Sequence, residues 1–202
     1  MYIPKHFQLA DQQQAVSFMQ RYSFATIITS EGDVPVATHL PFLVELRDDK
    51  IVLCSHFARA NPQANDMVGK TVLVIFTEPH AYVSPQHYEK ETNVPTWNYM
   101  AVHAYGKATL VPEGADTALL LAKTINNYEE AYQQQWNSLP YEYKQKMMKG
   151  IVAFEIVVDD LQGKQKLSQN RTAVERENII SALGKSDDTN EQDIAKYMDG
   201  LK

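Results

Sequence analysis

Residues that could bind an anion are concentrated in Leu53–Gln63, which reads LCSHFARANPQ. The segment begins as an apolar strand and runs into a predicted helix, in which Asn61 is a favourable N-cap and Pro62 suits the first helical position. A helix N-terminus exposes unpaired N–H groups and the positive end of its dipole, which together attract phosphate. Arg59 and Ser55 could add donors, so the segment predicts a phosphate site. The alternative is that Asn61 only starts a helix and that Arg59 is solvated.

Two further segments combine residue types that suit a phosphorylated aromatic ligand. Val94–Tyr99 (VPTWNY) places an amide between two large aromatic rings, a combination that favours a planar ring. Lys164–Arg171 (KQKLSQNR) gathers three cations in a chain that is acidic overall, and cations make charge-assisted hydrogen bonds to phosphate. The alternatives are a tryptophan that closes one end of a barrel and a solvated basic strand end. Together with Leu53–Gln63, the two segments predict a phosphorylated aromatic ring as the ligand.

Other classes of site are not predicted. The chain has six histidines, but it contains no HExxH motif and has no thiol partner at ligand spacing, so we expect no metal site. The single cysteine, Cys54, lies in a predicted strand and is read as a buried structural thiol. The GxSxG, GxGxxG and Walker motifs are all absent, and no residue stands out as a catalytic acid, base or nucleophile.

Composition and charge limit the class of protein. The 202 residues are 44% hydrophobic, which is enough for one domain with a proper core. The net charge of −6 and the pI of about 5.5 argue against direct binding to DNA or to an anionic membrane surface. No apolar run approaches the ~20 residues of a membrane helix, and the first residues lack the pattern of a signal peptide. We therefore expect a cytoplasmic protein.

Hydrophobic periodicity predicts a mainly β fold with peripheral helices. Pro41 within the second predicted strand indicates an edge strand or a bulge, and Gly106 indicates a bulge or a close approach of two strands. Because strands and helices do not alternate regularly, an antiparallel barrel is favoured over a doubly wound parallel sheet. Strands are predicted at 24–29, 36–45, 51–55, 71–77, 80–84, 100–111 and 150–158. Helices are predicted at 11–22, 61–68, 114–135, 139–148, 173–183 and 191–198.

Six stretches of the sequence resemble the PaiB family, which is described as FMN-binding negative transcriptional regulators. They are MYIPKHF (1–7), HLPFLV (39–44), ARANPQ (58–63), HAYVSP (80–85), VPTWNYMAVHAYG (94–106) and KLSQNR (166–171). The resemblance implies a split β-barrel similar to flavin reductases and pyridoxine-phosphate oxidases, usually a homodimer with FMN at the subunit interface. It further implies a barrel domain over residues 1–171, with residues 172–202 forming a helical tail packed on the same domain.

The resemblance also implies which residues bind FMN. For the phosphate they are Ser55, Arg59, Ala60 and Asn61; for the ring and ribityl chain, Thr38 and His39; for the ring pocket, Trp97 and Asn98; and to close the site, Lys166, Gln169 and Arg171. The sequence departs from the family pattern at Glu78, where glycine is expected, and at Gln86-His87, where an aromatic residue is expected. Both departures lie on the loop over the expected pocket and therefore bear on substrate access. Because no histidine follows His103, the haem-degrading variant of the fold is disfavoured.

Three functions remain open on the sequence. The first is an FMN-binding regulator that represses sporulation or protease genes through a partner or through the flavin redox state. Direct action on DNA is not expected, because no basic recognition helix is visible. The second is a flavin-dependent oxidoreductase that uses a reduced nicotinamide or a small substrate, since flavin chemistry resides in the cofactor. The third is a split barrel that has lost its flavin.

Overall fold

The computed structural model describes residues 1–201, which contain seven strands and seven α-helices. Lys202, the last residue of the expected helical tail, lies outside the described residues. The strands are β1 (Phe24–Glu31), β2 (Val34–Pro41), β3 (Leu43–Arg47), β4 (Lys50–Ala58), β5 (Thr71–Val83), β6 (Thr96–Leu110) and β7 (Ile151–Lys166). The helices are α1 (Gln12–Arg21), α2 (Gln63–Asp66), α3 (Ala115–Tyr128), α4 (Gln133–Ser138), α5 (Tyr141–Met148), α6 (Ala173–Leu183) and α7 (Thr189–Asp199).

The strands form one sheet in the order β2-β1-β5-β6-β7-β4-β3. The β1–β2 hairpin turns at Gly32, whose positive φ of 60° suits glycine, and its antiparallel register pairs Thr26 with His39 and Ile27 with Thr38. β4 pairs antiparallel with both β3 and β7, and this register places Ser55 opposite Phe154. The predicted mainly β architecture with helices is therefore confirmed, and Pro41 lies at the end of an edge strand.

Several predicted boundaries are wrong because tertiary contacts extend or shorten the elements. The strands expected at 71–77 and 80–84 form the single strand β5. The alternation of buried and exposed residues shifts by one position at Thr77-Glu78 and then resumes, with Ala81 and Val83 buried. β7 continues to Lys166, so the basic segment begins inside a strand. The helix expected at 61–68 shrinks to the four residues of α2, after which the chain turns at Gly69, whose φ is +72°.

Gly106 confirms the expected close approach of two strands. A Cβ atom at this position would lie 2.1 Å from the carbonyl oxygen of Val157 on β7. Only glycine allows the two backbones to approach this closely.

The chain divides into two compact units, each with its own core. The unit formed by Val16–Ile75 and Ala104–Leu161 packs Phe42, Phe57 and Phe154, with the rings of Phe57 and Phe154 stacked at 5.0 Å. The other unit combines Met1–Ala15, Phe76–His103 and Gln162–Lys202. Its fully buried side chains include Val83, Leu167, Ile179, Ile194 and Met198.

Among residues 1–201, no helix is long and apolar enough to cross a membrane. The same residues contain no group of three or more His, Cys, Asp or Glu side chains that could hold a metal ion.

Candidate functional site

Two predicted cofactor-binding residues, Thr38 on β2 and Asn61 after β4, lie in direct contact. The Asn61 amide donates a hydrogen bond from Nδ2 to Thr38 Oγ1 at 3.2 Å, and the Thr38 hydroxyl donates to Gln63 Oε1 at 2.6 Å. Asn61 Oδ1 in turn accepts a hydrogen bond from the backbone N–H of Gln63 at 3.0 Å. We call Thr38, Asn61 and Gln63 the amide network. It brings together residues that the sequence assigned separately to the ribityl chain and to the phosphate.

Gln63 is the central member of this network, and sequence reasoning did not assign it to the site. Its side chain is 1% exposed, and its Nε2 donates to Thr29 Oγ1 and to the carbonyl oxygen of Val36, both at 3.1 Å. Gln63 therefore ties the loop after β4 to both strands of the β1–β2 hairpin. The sequence feature that could have indicated Gln63 is its position at the end of the ARANPQ stretch, two residues after the predicted cap Asn61.

Arg59 and Ala60 are exposed at the end of β4. The Arg59 guanidinium donates to the carbonyl oxygens of Lys149 and Ile151 and forms an ion pair with Glu113 at 2.7 Å. Both side chains of this pair are largely exposed (45% and 75%), and exposed pairs of this kind contribute little free energy. The ion pair with Glu113 can therefore be exchanged for a pair with another anion at low cost, while the two hydrogen bonds to backbone carbonyl oxygens hold the guanidinium in place.

The two other predicted residues of this unit have different surroundings. Ser55 is buried, and its hydroxyl donates to the carbonyl oxygen of Pro41 at 2.7 Å. His39 is exposed on β2, where its ring stacks with that of Phe24 at 6.4 Å. Phe24 is itself 67% exposed, so the two rings form an accessible planar surface on the hairpin.

The other unit carries an exposed aromatic cluster formed by His80 and Tyr82 of β5 and Trp97 of β6. The ring of Trp97 lies 5.9 Å from that of His80 and 5.8 Å from that of Tyr82, measured between centroids. About half of each side chain remains accessible. Accessible rings of this size can stack on a planar ligand.

Lys164, Lys166 and Arg171 form a cation cluster, of which Lys166 contacts Trp97. The Lys166 ammonium donates to Thr96 Oγ1 and to the backbone carbonyl oxygen of Trp97. Burial, followed by the positive charges of Lys164 and Arg171, lowers the pKa of Lys166 below its usual value. An anionic group bound beside Lys166 would offset the positive charge of these three side chains.

Asn98 and Gln169 shape this region through contacts within the chain. Asn98 is fully buried, and its side chain makes two contacts with the Ser168 hydroxyl at 3.0 and 3.1 Å and one with the sulfur of Met198 at 3.4 Å. Gln169 donates to the carbonyl oxygen of Gln165 at 2.6 Å and accepts from the backbone N–H of Leu167 at 2.7 Å. Both amides therefore fix the turn after β7, in which Ser168 has a positive φ of 58°.

Comparison with known proteins identifies relatives over most of the chain. Residues 1–160 match the family described as "Putative FMN-binding domain". The chain is 40% identical to the protease synthase and sporulation protein PAI 2 of Bacillus subtilis, over 98% of this chain and 97% of that protein. It is also 32% identical to an uncharacterized protein of Emericella nidulans, over 73% of this chain and 74% of the relative.

Solved structures share the fold at low sequence identity. The FAD and heme binding protein from Mycobacterium smegmatis aligns with a TM-score of 0.62 at 15% identity, over 79% of this chain and 73% of that one. The flavocytochrome Anf3 from Azotobacter vinelandii aligns with a TM-score of 0.64 at 13% identity, over 81% and 72% of the two chains. The predicted split-barrel fold is thereby confirmed. Together with the match over residues 1–160 and the identity to PAI 2, it shows that this chain belongs to the PaiB-type family of FMN-binding split-barrel proteins.

Proposed function

We propose that this chain is an FMN-dependent regulator that controls protease synthesis and sporulation, the processes named in its Bacillus subtilis relative. One observation carries the flavin part of the proposal. The Lys166 ammonium contacts the backbone oxygen of the half-exposed Trp97, so a cation and an accessible aromatic ring adjoin. This arrangement suits a planar ring that carries hydrogen-bond acceptors at its edge, as the flavin ring does with its carbonyl oxygens.

The chemistry of the side chains fits both parts of FMN. Hydroxyl, amide and guanidinium donors at Thr38, Asn61 and Arg59 are groups that bind a phosphate and a polyol chain. The aromatic cluster and the cation cluster suit the flavin ring. When bound, FMN supplies one- and two-electron transfer chemistry, while the chain supplies binding and orientation.

The proposed site uses the residues expected from the sequence. Within the unit of Val16–Ile75 and Ala104–Leu161, the proposed phosphate ligands are Ser55, Arg59, Ala60 and Asn61, and the proposed contacts to the ring and ribityl chain are Thr38 and His39. Within the other unit, the residues proposed to line and close a ring pocket are Trp97, Asn98, Lys166, Gln169 and Arg171. Ser55 and Gln169 act mainly through the backbone groups that they bind, and Asn98 acts through the side chains of Ser168 and Met198. The proposal includes a cytoplasmic homodimer in which FMN lies at the subunit interface, as the family resemblance implies.

Regulation is proposed to act through a partner or through the flavin redox state. The net charge of −6 and the pI of about 5.5 disfavour strong binding to a polyanion such as DNA. A second candidate function is a flavin-dependent oxidoreductase. The accessible faces of Tyr82 and Trp97 favour it, because they offer stacking surface for a second planar ring such as a nicotinamide.

Parallel titrations with FMN and with riboflavin, which lacks the phosphate, test the proposal. We expect the wild-type protein to retain flavin absorption bands through gel filtration and to bind FMN more tightly than riboflavin. Arg59→Ala should remove that difference, whereas Lys166→Gln should weaken both ligands about equally. Lys185→Gln, at an exposed position that is not among the candidate residues, is the control and should change neither affinity. Absence of flavin binding at micromolar concentration would refute the proposal.

Two further assays separate the candidate functions. Steady oxidation of a reduced nicotinamide by the FMN-loaded protein, with an added electron acceptor, would favour the oxidoreductase. Retention of promoter DNA at physiological salt would show direct regulation instead of action through a partner. A flavin-loaded protein that does neither supports the regulator that acts through a partner or the flavin state.

A further inference from the structure

Helix α6 begins directly after the cation cluster with a complete capping box. The Thr172 hydroxyl accepts a hydrogen bond from the backbone N–H of Glu175 at 3.2 Å, and Glu175 Oε2 accepts one from the backbone N–H of Thr172 at 3.4 Å. Glu175 is only 6% exposed, although the carboxylate of a capping box is usually found at the surface. Its burial indicates contacts beyond its own helix.

Those contacts reach residues 87–93, the segment that precedes β6. Glu175 Oε1 accepts a hydrogen bond from the backbone N–H of Glu89 at 3.3 Å. Asn178, on the next turn of α6, donates to the carbonyl oxygen of His87 at 3.2 Å. Thr172 donates to the Glu89 carboxylate at 2.9 Å. One face of the first turns of α6 therefore holds this segment.

The same carboxylate lies beside a member of the cation cluster. Glu175 Oε2 is 3.9 Å from Nη1 of Arg171, and this nitrogen also donates to Asn93 Oδ1 at 2.9 Å. The Arg171 guanidinium carbon lies 3.8 Å from the centroid of the Tyr88 ring, within the range of a cation–π contact. Arg171 is thus held between Glu175 on one side and the 87–93 segment on the other.

Helix α7 contacts both α6 and β6 through Met198. Arg176 donates a hydrogen bond to the carbonyl oxygen of Met198 at 3.1 Å, and buried Met198 contacts Asn98 through its sulfur. The hairpin of α6 and α7 is therefore packed against the strand that begins the ring pocket. Both helices of this hairpin lie after residue 160, where the match to the family ends.

We propose that Glu175 is a positioning residue for the cofactor site, which fixes Arg171 within the cation cluster and anchors residues 87–93. The C-terminal hairpin thereby sets the geometry of one side of the site. Glutamine at this position has no charge for Arg171 and only one acceptor oxygen for the two N–H groups of Thr172 and Glu89. Because Arg171 and the Thr172 N–H both attract that oxygen, the Glu89 N–H is expected to lose its acceptor, so both elements loosen together. This inference depends on the proposed function, because it assigns Arg171 to the flavin site.

The test compares Glu175→Gln with Glu177→Gln, which removes the same charge from an exposed position of the same helix. Hydrogen exchange of residues 87–93 and FMN affinity are measured on the full chain. For Glu175→Gln we expect exchange in this segment to rise and FMN affinity to fall, each by about tenfold, with little change for Glu177→Gln. Glu175→Asp, which keeps the charge on a shorter side chain, should restore part of both properties.

A second variant tests the same proposal in case Glu175→Gln fails to fold. Asn93→Ala removes the hydrogen bond between Asn93 and Arg171 and leaves α6 unchanged. It should also raise hydrogen exchange in residues 87–93 and lower FMN affinity, but by less than Glu175→Gln does. Unchanged exchange at residues 87–93 in Glu175→Gln would overturn the proposed anchoring. Faster exchange with unaltered FMN affinity would overturn the positioning role while leaving the proposed function intact. A wild-type protein that binds no FMN would refute the proposed function, and the positioning role with it, while the exchange data would still decide the anchoring.

Discussion

The side-chain amide of Asn61 donates a hydrogen bond to the hydroxyl of Thr38 at 3.2 Å, which joins the loop after β4 to the edge strand β2. Gln63 contacts both residues and lies buried behind them. The relative position of the two predicted cofactor ligands therefore depends on a residue that need not touch the cofactor. Such support is typical of binding sites whose ligands must be held in place.

Gln63→Ala should destabilise the protein by about 2–4 kcal/mol, because it leaves a cavity and removes the hydrogen-bond partner of several buried polar groups. The Thr38 hydroxyl loses its acceptor, and the carbonyl oxygen of Val36 loses a donor. Urea unfolding measures the change. The exposed Gln134→Ala is the matched control and should change stability by less than about 0.5 kcal/mol. A loss below about 1 kcal/mol for Gln63→Ala would contradict a central role for this side chain.

Local signals explain where prediction from the sequence succeeded. The helix predicted at 173–183 matches α6 at both ends. Its start is marked by the Thr172–Glu175 capping box, which lies within four consecutive residues, and Gly184 follows its last residue. The close approach at Gly106 could also be predicted, since a glycine inside a strand pattern often marks a place where two backbones approach closely.

Contacts between distant residues explain the rest. Asn98 was predicted to bind a ligand because it is an amide between two aromatic residues in the sequence. In the structure its polar atoms instead contact Ser168 and Met198, which are 70 and 100 positions away. Gln63 is polar and follows a predicted cap, so nothing nearby in the sequence indicates that it is buried beneath a hairpin. Local pattern cannot show which side of a short helix packs inward.

Arg59→Ala should lower FMN affinity about 10- to 150-fold, which corresponds to one charge-assisted hydrogen bond of ~1.5–3 kcal/mol. In the structure this guanidinium pairs with the exposed Glu113. Glu113→Gln removes the competing carboxylate and should raise FMN affinity a few-fold while leaving riboflavin affinity unchanged. Isothermal titration of both variants checks the two effects. Equal FMN affinity in Arg59→Ala and the wild type would show that Arg59 only braces the end of β4.

FMN affinity should fall as the pH rises through the lowered pKa of Lys166. Burial and the neighbouring charges of Lys164 and Arg171 lower this pKa, so the ammonium that contacts the site loses its proton earlier than an ordinary lysine would. Fluorescence titration with FMN between about pH 7 and pH 10.5 measures the effect. Lys166→Met should bind FMN more weakly at neutral pH and should not show this component of the pH dependence.

The lowered pKa of Lys166 also makes the stability of the protein depend on pH, but stability should rise with pH where FMN affinity falls. The folded state binds its Lys166 proton less tightly than the unfolded state, whose lysine keeps the ordinary value of 10.5. Between the lowered value and 10.5 the unfolded state holds more protons, so this residue makes the free energy of unfolding rise with pH. Urea unfolding of the wild type and Lys166→Met isolates the contribution. A difference between the two proteins that does not change over this interval would contradict the lowered pKa.

Cys54 should be unreactive in the folded protein and should reduce stability at alkaline pH. The thiol is 1% exposed, and burial followed by the negative charge of Glu155 raises its pKa to about 12, compared with 9.0 for an ordinary cysteine. Between those values the folded state keeps a proton that the unfolded state releases, so the free energy of unfolding falls as the pH rises. Iodoacetamide at pH 8.5 should therefore label the urea-unfolded chain but not the native one. Cys54→Ala should remove the alkaline slope that the thiol contributes, and rapid labelling of the native protein would show that the thiol is accessible and ionises readily.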